Sequence, residues 1–168
     1  MFRFELCSTT RLWSRFTDFY IEHRASIIPG YPLSFVLRDV VNYMNEGRGA
    51  IIVNERDVVV GIGSFVLGLP EANFQQKDIA VLGNSCFAEE YRNTRMFIRG
   101  LQELAAQIRD ANPDVKEVRI PTVAENAYTN RLYQKFTAKH HSFKSGPCKF
   151  NVYSTSFHDY EQFCNRFG

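Results

Sequence analysis

The stretch Asn126-Ala-Tyr-Thr-Asn-Arg-Leu-Tyr133-Gln-Lys135 decides the reading of this chain, because it sets an asparagine and a tyrosine seven residues apart on one helix. At about 3.6 residues per turn, that spacing closes two turns, so both side chains point the same way. Tyr128, Leu132 and Phe136 recur every four residues, and Tyr133 widens that apolar face. Immediately upstream, residues 115–122 (VKEVRIPT) read as a strand, with Val118 and Ile120 on one side and Glu117, Arg119 and Pro121 on the other. A strand therefore feeds the helix. Earlier still, Ile79 to Phe87 reads as one strand, and a helix follows over residues 93–112, with Met96/Phe97, Gly100/Leu101, Leu104/Ala105 and Ile108 on one face and Asn112-Pro113 as its stop. The unit is strand, helix, strand, helix.

Outward from this unit the pattern stays regular. Phe2, Phe4 and Leu6 alternate with Arg3 and Glu5, a strand signature. After helix caps at Ser8-Thr9-Thr10, apolar residues recur at helical spacing to about Arg24. A breaker cluster, Pro29-Gly30 and Pro32, separates this helix from a second one that stops at Gly47. Ala50 to Val53 and Val58 to Leu67 read as antiparallel neighbours joined by Asn54-Glu-Arg-Asp57. Gly61 and Gly63 in the second of these mark a bulge or a close approach of another group. Residues 68–77 form a loop that carries Glu71. His140 to Phe143 and Cys148 to Tyr153 read as a terminal hairpin, and Phe157, Tyr160, Phe163 and Phe167 as a short docked helix.

These residues resemble the GNAT acetyltransferase superfamily, which carries an Arg/Gln-x-x-Gly-x-Gly/Ala turn between a strand and a helix, followed by an Asn-to-Leu-Tyr-x-Lys helix. Asn126, Leu132, Tyr133 and Lys135 match the second motif. Tyr91 and Arg92 fit the first, whereas Arg95 and Phe97 stand where that family has glycine and glycine or alanine. The motif resemblance spans roughly Ile79 to Ala138. The resemblance and the element order predict one α/β domain over residues 1–168, a mixed sheet in the order β-α-α-β-β-β-α-β-α-β-β with helices on both faces.

The resemblance also implies chemistry. Acetyl-coenzyme A is the expected cosubstrate, its pyrophosphate at the turn formed by Arg92, Asn93, Thr94, Arg95, Met96 and Phe97. Unpaired N–H groups at the positive end of a helix suit such an anion. The side chains of Arg95 and Phe97 oppose close approach, although an arginine still offers its N–H and guanidinium. Arg92, Arg95 and Arg99 fall on one helical stripe, which serves either phosphate or solvent. A splayed strand end at Phe87 is expected to offer its backbone N–H to the thioester carbonyl. Asn126 is expected to contact the cofactor, or to cap its helix, and Tyr133 to protonate the leaving thiolate. The acceptor is an amine on a small molecule or a peptide, and a carboxylate, Glu71 or Asp78, is wanted to take its proton. Glu89 and Glu90 are expected to point away from the phosphates.

Bulk composition narrows the partners. At 168 residues, 45% apolar and 23% charged, the chain reads as one globular domain. A net charge of +2 without a basic run argues against nucleic acid. No apolar run spans a bilayer and no signal peptide is visible, so a cytoplasmic protein is expected. The four cysteines are too scattered for a zinc site, and adjacent His140 and His141 are expected on opposite strand faces, so no metal is implied. The oligomeric state stays open between monomer and homodimer. Against the enzyme stands a GNAT-like binding or protein-interaction module, motivated by Arg95 and Phe97. An open cleft with Tyr133 facing it favours the enzyme; Arg95 or Phe97 filling the cleft favours the module.

Overall fold

The structure, a computed structural model, describes residues 1–92 and 94–166, with the backbone but not the side chain of Thr94. Phe167, expected on the last helix, lies outside the described residues. The elements run β1 (Arg3–Leu6), α1 (Thr10–Ile27), α2 (Leu33–Glu46), β2 (Gly47–Val53), β3 (Val59–Leu67), β4 (Ile79–Leu82), β5 (Cys86–Phe87), α3 (Thr94–Ala111), β6 (Glu117–Val123), α4 (Ala127–Gln134), β7 (Ala138–Ser145), β8 (Cys148–Ser156) and α5 (Phe157–Asn165). Local chemistry sets many of these limits. Thr9, Asn126 and Ser156 each accept an N–H of the helix that follows. The Asn54 side chain accepts from Arg56 and Val58 at 2.9 and 3.1 Å and closes the β2–β3 hairpin as an Asx turn.

The strands form one sheet in the order β1-β2-β3-β4-β6-β8-β7, antiparallel except for the parallel β4–β6 pair. β3 is buried along nearly its whole length because helices cover both faces of the sheet. On one face α3, α4 and α5 pack a core that includes Phe65, Ile108, Val118, Tyr153 and Tyr160; on the other, α1 and α2 pack Phe16, Tyr20, Val36, Ile51 and Ile62. No described helix is long and apolar enough to cross a membrane.

The strand expected without interruption over residues 79–87 is broken. β4 meets β3 as far as Phe65↔Leu82, and β5 meets it again from Ile62↔Cys86, so three residues, Gly83, Asn84 and Ser85, oppose two. This is a β-bulge, and its extra residue bends the strand. The Gly83 N–H continues the β3–β4 ladder by donating to the Ser64 carbonyl at 2.8 Å, and the Asn84 N–H then leaves it, donating to the Tyr43 hydroxyl at 3.3 Å. The β4–β6 ladder ends at Val81↔Arg119, and beyond it the two strands are unpaired.

Gly61 seats the far end of this strand. A Cβ there would lie 2.5 Å from the Phe87 ring, so only glycine lets that ring cross β3. Gly61→Val is therefore expected to lower stability by about 1–3 kcal/mol through overpacking, read as a lower midpoint in urea. An unchanged midpoint would show that Phe87 moves aside freely. Gly63 meets only ordinary contacts with Leu104, so it marks no close approach, but it lies on β3 opposite the bulge.

Candidate active site

Where the β4–β6 ladder stops, a cavity of about 410 Å³ opens between the parting strands. One wall is Leu82 to Phe87 and the other is Pro121 to Val123. Phe97 and Leu101 of α3 close one side, with Tyr128, Thr129 and Tyr133 of α4 and Asn126 at its cap completing the rim. The structure thus brings Phe87, Arg92, Phe97, Asn126 and Tyr133 to one cleft.

Tyr133 is only 6% exposed, and its ring is held among Phe97, Phe136 and Tyr153, with centroids 6.1–6.3 Å away. No described residue bonds its hydroxyl. Burial pushes the phenol well above its ordinary value of 10, and Tyr128 adds to the shift. It therefore keeps its proton at neutral and moderately alkaline pH. The Cys86 thiol also lines the cleft; burial pushes it up to about 12, with Arg92 pulling the other way. A thiol so protonated is a poor nucleophile at neutral pH.

The strand end at Phe87 is oriented by its pairing. Ala88 donates its N–H to the Val60 carbonyl at 2.8 Å, so the alternation of an antiparallel ladder turns the N–H and carbonyl of Phe87 away from β3, toward the gap. The Arg92 guanidinium, which also lines the cleft, donates through Nε to that carbonyl at 2.8 Å. Arg92 is thus tied to the strand end.

The rest of the expected phosphate turn is dispersed. Asn93 and the Thr94 side chain lie outside the described residues. Met96 is buried against Ile52, Val60 and Phe87, so its side chain faces a core. Arg95 is exposed and does not line the cleft. Phe97 turns its ring toward Tyr128 and Tyr133, at 6.4 and 6.2 Å, and forms a wall. The arginine stripe is not assembled, because Arg99 lies over the Phe4 ring at 5.6 Å while Arg92 turns to Phe87. Glu89 and Glu90 are exposed and outside the lining.

Asn126 caps α4, its Oδ1 accepting the Thr129 N–H at 3.1 Å, and it also lines the cleft. The cap and the rim are one position. Sequence reading missed Asn130, one helical turn later and 9% exposed. Its Nδ2 donates to the carbonyls of Val123 and Asn126 at 3.1 and 2.7 Å, and its Oδ1 accepts from Asn151 and Tyr153 at 2.9 and 2.6 Å. It ties the start of α4 to β6 and β8. The available signal was a polar residue beside Leu132 and Tyr133 on the buried side of the helix.

Among the described residues no carboxylate lines the cleft. Glu71, on the turn Pro70–Ala72, opens onto a second cavity instead, so it does not share a cavity with Tyr133. Asp78 is exposed at the start of β4, where its carbonyl accepts the N–H groups of Lys116 and Glu117. A second miss is the cluster on Asp39, whose carboxylate accepts from Tyr20 and Tyr31 at 2.8 and 2.6 Å while Asn84 donates to Tyr20 at 2.7 Å. His140 and His141 do not face opposite ways: a register shift in β7 brings their Nδ1 atoms to 2.7 Å. Among the described residues no group of three metal-ligating side chains occurs.

No family model and no curated protein matches the chain. Solved structures do. A ribosomal-protein-S5-alanine acetyltransferase from Vibrio fischeri superposes with a TM-score of 0.67 at 11% identity, over 95% of this chain and 94% of that one. A GNAT-family acetyltransferase from Staphylococcus aureus gives 0.67 at 11%, over 92% and 99%. The ribosomal-protein-S18-alanine N-acetyltransferase from Escherichia coli gives 0.66 at 13%, over 94% of each. The broken strand, the parting of β4 from β6 and these superpositions together show that the chain has the GNAT acetyltransferase fold.

Proposed function

We propose that this protein is an N-acetyltransferase that moves an acetyl group from acetyl-coenzyme A to an amine by direct attack. The observation that carries the reading is the single cleft onto which Tyr133 and the Phe87 strand end both open. The lining suits the cosubstrate: a guanidinium without an opposing carboxylate, apolar walls for a thin arm, and a strand with its backbone turned inward. Acetyl-coenzyme A supplies an activated acetyl group, whose transfer forms a C–N bond and breaks a C–S bond. The Phe87 N–H polarises the carbonyl, and Tyr133 gives its proton to the departing sulfur. The protonated state of Cys86 favours direct transfer over an acyl-cysteine. Glu71 is the carboxylate assigned to the amine's proton.

Arg95 or Phe97 filling the cleft would have favoured the binding-module reading. Arg95 lies outside it and Phe97 walls it, which favours the enzyme. Calorimetric titration with acetyl-coenzyme A tests the proposal, with micromolar binding expected; no binding at millimolar ligand would sink it. Arg92→Ala frees the Phe87 carbonyl and removes a cation from the cleft, so affinity for coenzyme A is expected to fall about tenfold. Unchanged affinity would remove Arg92 from the site.

A further inference from the structure

A second cavity, of about 420 Å³, lies across the bulge and shares Leu82, Gly83, Asn84 and Pro121 with the first. The two differ in charge. Arg92 is the charged residue on the first, whereas the second sets the carboxylates of Asp39 and Glu71 against Arg38. Arg38 is engaged: its guanidinium donates to Asp39 and to the Tyr31 hydroxyl, both at 3.2 Å, and lies over the Phe35 ring at 4.3 Å. Glu71 is exposed and makes no ion pair with any described residue. Around these charges stand aromatic rings, among them Phe143 stacked on Phe150 at 5.2 Å. Aromatic side chains and an uncompensated carboxylate lining one cavity suit a cation with an apolar body.

Resting on the proposed acetyl transfer, we infer that this second cavity binds the acceptor, and that the acceptor is a primary amine with a ring-bearing apolar body. It arrives as an ammonium ion, drawn by Glu71 with Asp39 behind it. The shared rim at Gly83 and Asn84 is then where amine and acetyl group meet. An amino acid would set its own carboxylate against Glu71 and Asp39. A polyamine would press further cations against apolar walls and Arg38.

The test is calorimetry on the full chain with phenethylamine, phenethyl alcohol, phenylalanine and spermidine, each with and without saturating coenzyme A. Phenethylamine is expected to bind about tenfold more tightly than the other three, and Glu71→Gln to remove most of that advantage while leaving coenzyme A affinity unchanged. Equal binding of the alcohol, tighter binding of spermidine, or an unaffected Glu71→Gln protein overturns the assignment. Coenzyme A binding without amine preference sinks this inference and spares the acetyl-transfer reading. Phenethylamine binding without coenzyme A binding does the reverse: the cavity stands as an amine site and the transfer reading falls.

Discussion

Tyr133→Phe is expected to lower the turnover of acetyl transfer about 100-fold while leaving affinity for coenzyme A within a factor of two. The substitution removes one oxygen and keeps the ring that packs among Phe97, Phe136 and Tyr153, so the cleft wall persists. What is lost is the proton that the departing sulfur needs. The pH profile carries a second, independent expectation. The acid form is the working form, and burial holds the phenol above its ordinary value of 10, so turnover should not decline through Tyr133 as pH rises toward 10. Steady-state kinetics with calorimetry alongside checks both points. Unchanged turnover in the phenylalanine variant would remove Tyr133 from the chemistry; weaker coenzyme A binding at unchanged turnover would make it a wall residue only.

Asn130→Leu is expected to cost about 3 kcal/mol or more of folding stability. Leucine is close in size, so the loss is not a cavity effect. It leaves the Asn151 and Tyr153 donors without their acceptor in a largely buried place, while the Val123 and Asn126 carbonyls keep the backbone N–H groups of Asn126 and of residue 130. Each group stranded in this way costs about 1–3 kcal/mol unless water reaches it. Urea denaturation measures the loss, and a change under about 1 kcal/mol would show that water replaces the asparagine. Because Asn130 holds the first turn of α4 to β6 and β8, the same variant is expected to disturb Asn126 and Tyr133. A folded Asn130→Leu protein should therefore also lose acetyl transfer.

The two classes of residue in these predictions differ in how visible they were. Tyr133 stands on α4, but Asn126, expected on the same helix, is its extended N-cap, so its side chain is aimed by the bond it accepts from the Thr129 N–H and not by helical spacing; both are still set within a few residues of chain. Asn130 sits on that helix too, but its role requires Val123 on β6 and Asn151 and Tyr153 on β8, brought together by sheet pairing. A polar residue on an inner face announces that partners exist without naming them.

The same distinction accounts for the departures. Arg92, Arg95 and Arg99 do share a stripe by spacing, yet their side chains are long enough to follow the nearest acceptor or ring, and those are Phe87 and Phe4. His140 and His141 alternate only in a regular strand; the register shift in β7 abolishes the alternation. Glu71 was chosen as a carboxylate near a strand end, and the fold sets it on the far side of the bulge from Tyr133.

The element order and the helix that Asn126 caps and that carries Tyr133 were determined by the sequence itself, because apolar periodicity and helix caps act over a few residues of covalent chain. The opening of the cleft was decided only by tertiary structure. Gly83-Asn84-Ser85 is a local breaker, but where the strand bends depends on distant partners: the Gly83 N–H keeps the ladder bond to the Ser64 carbonyl, and the Asn84 N–H then leaves the ladder for the Tyr43 hydroxyl, about 40 residues earlier. A cavity exists where that ladder fails, and ladder failure is a property of neighbours.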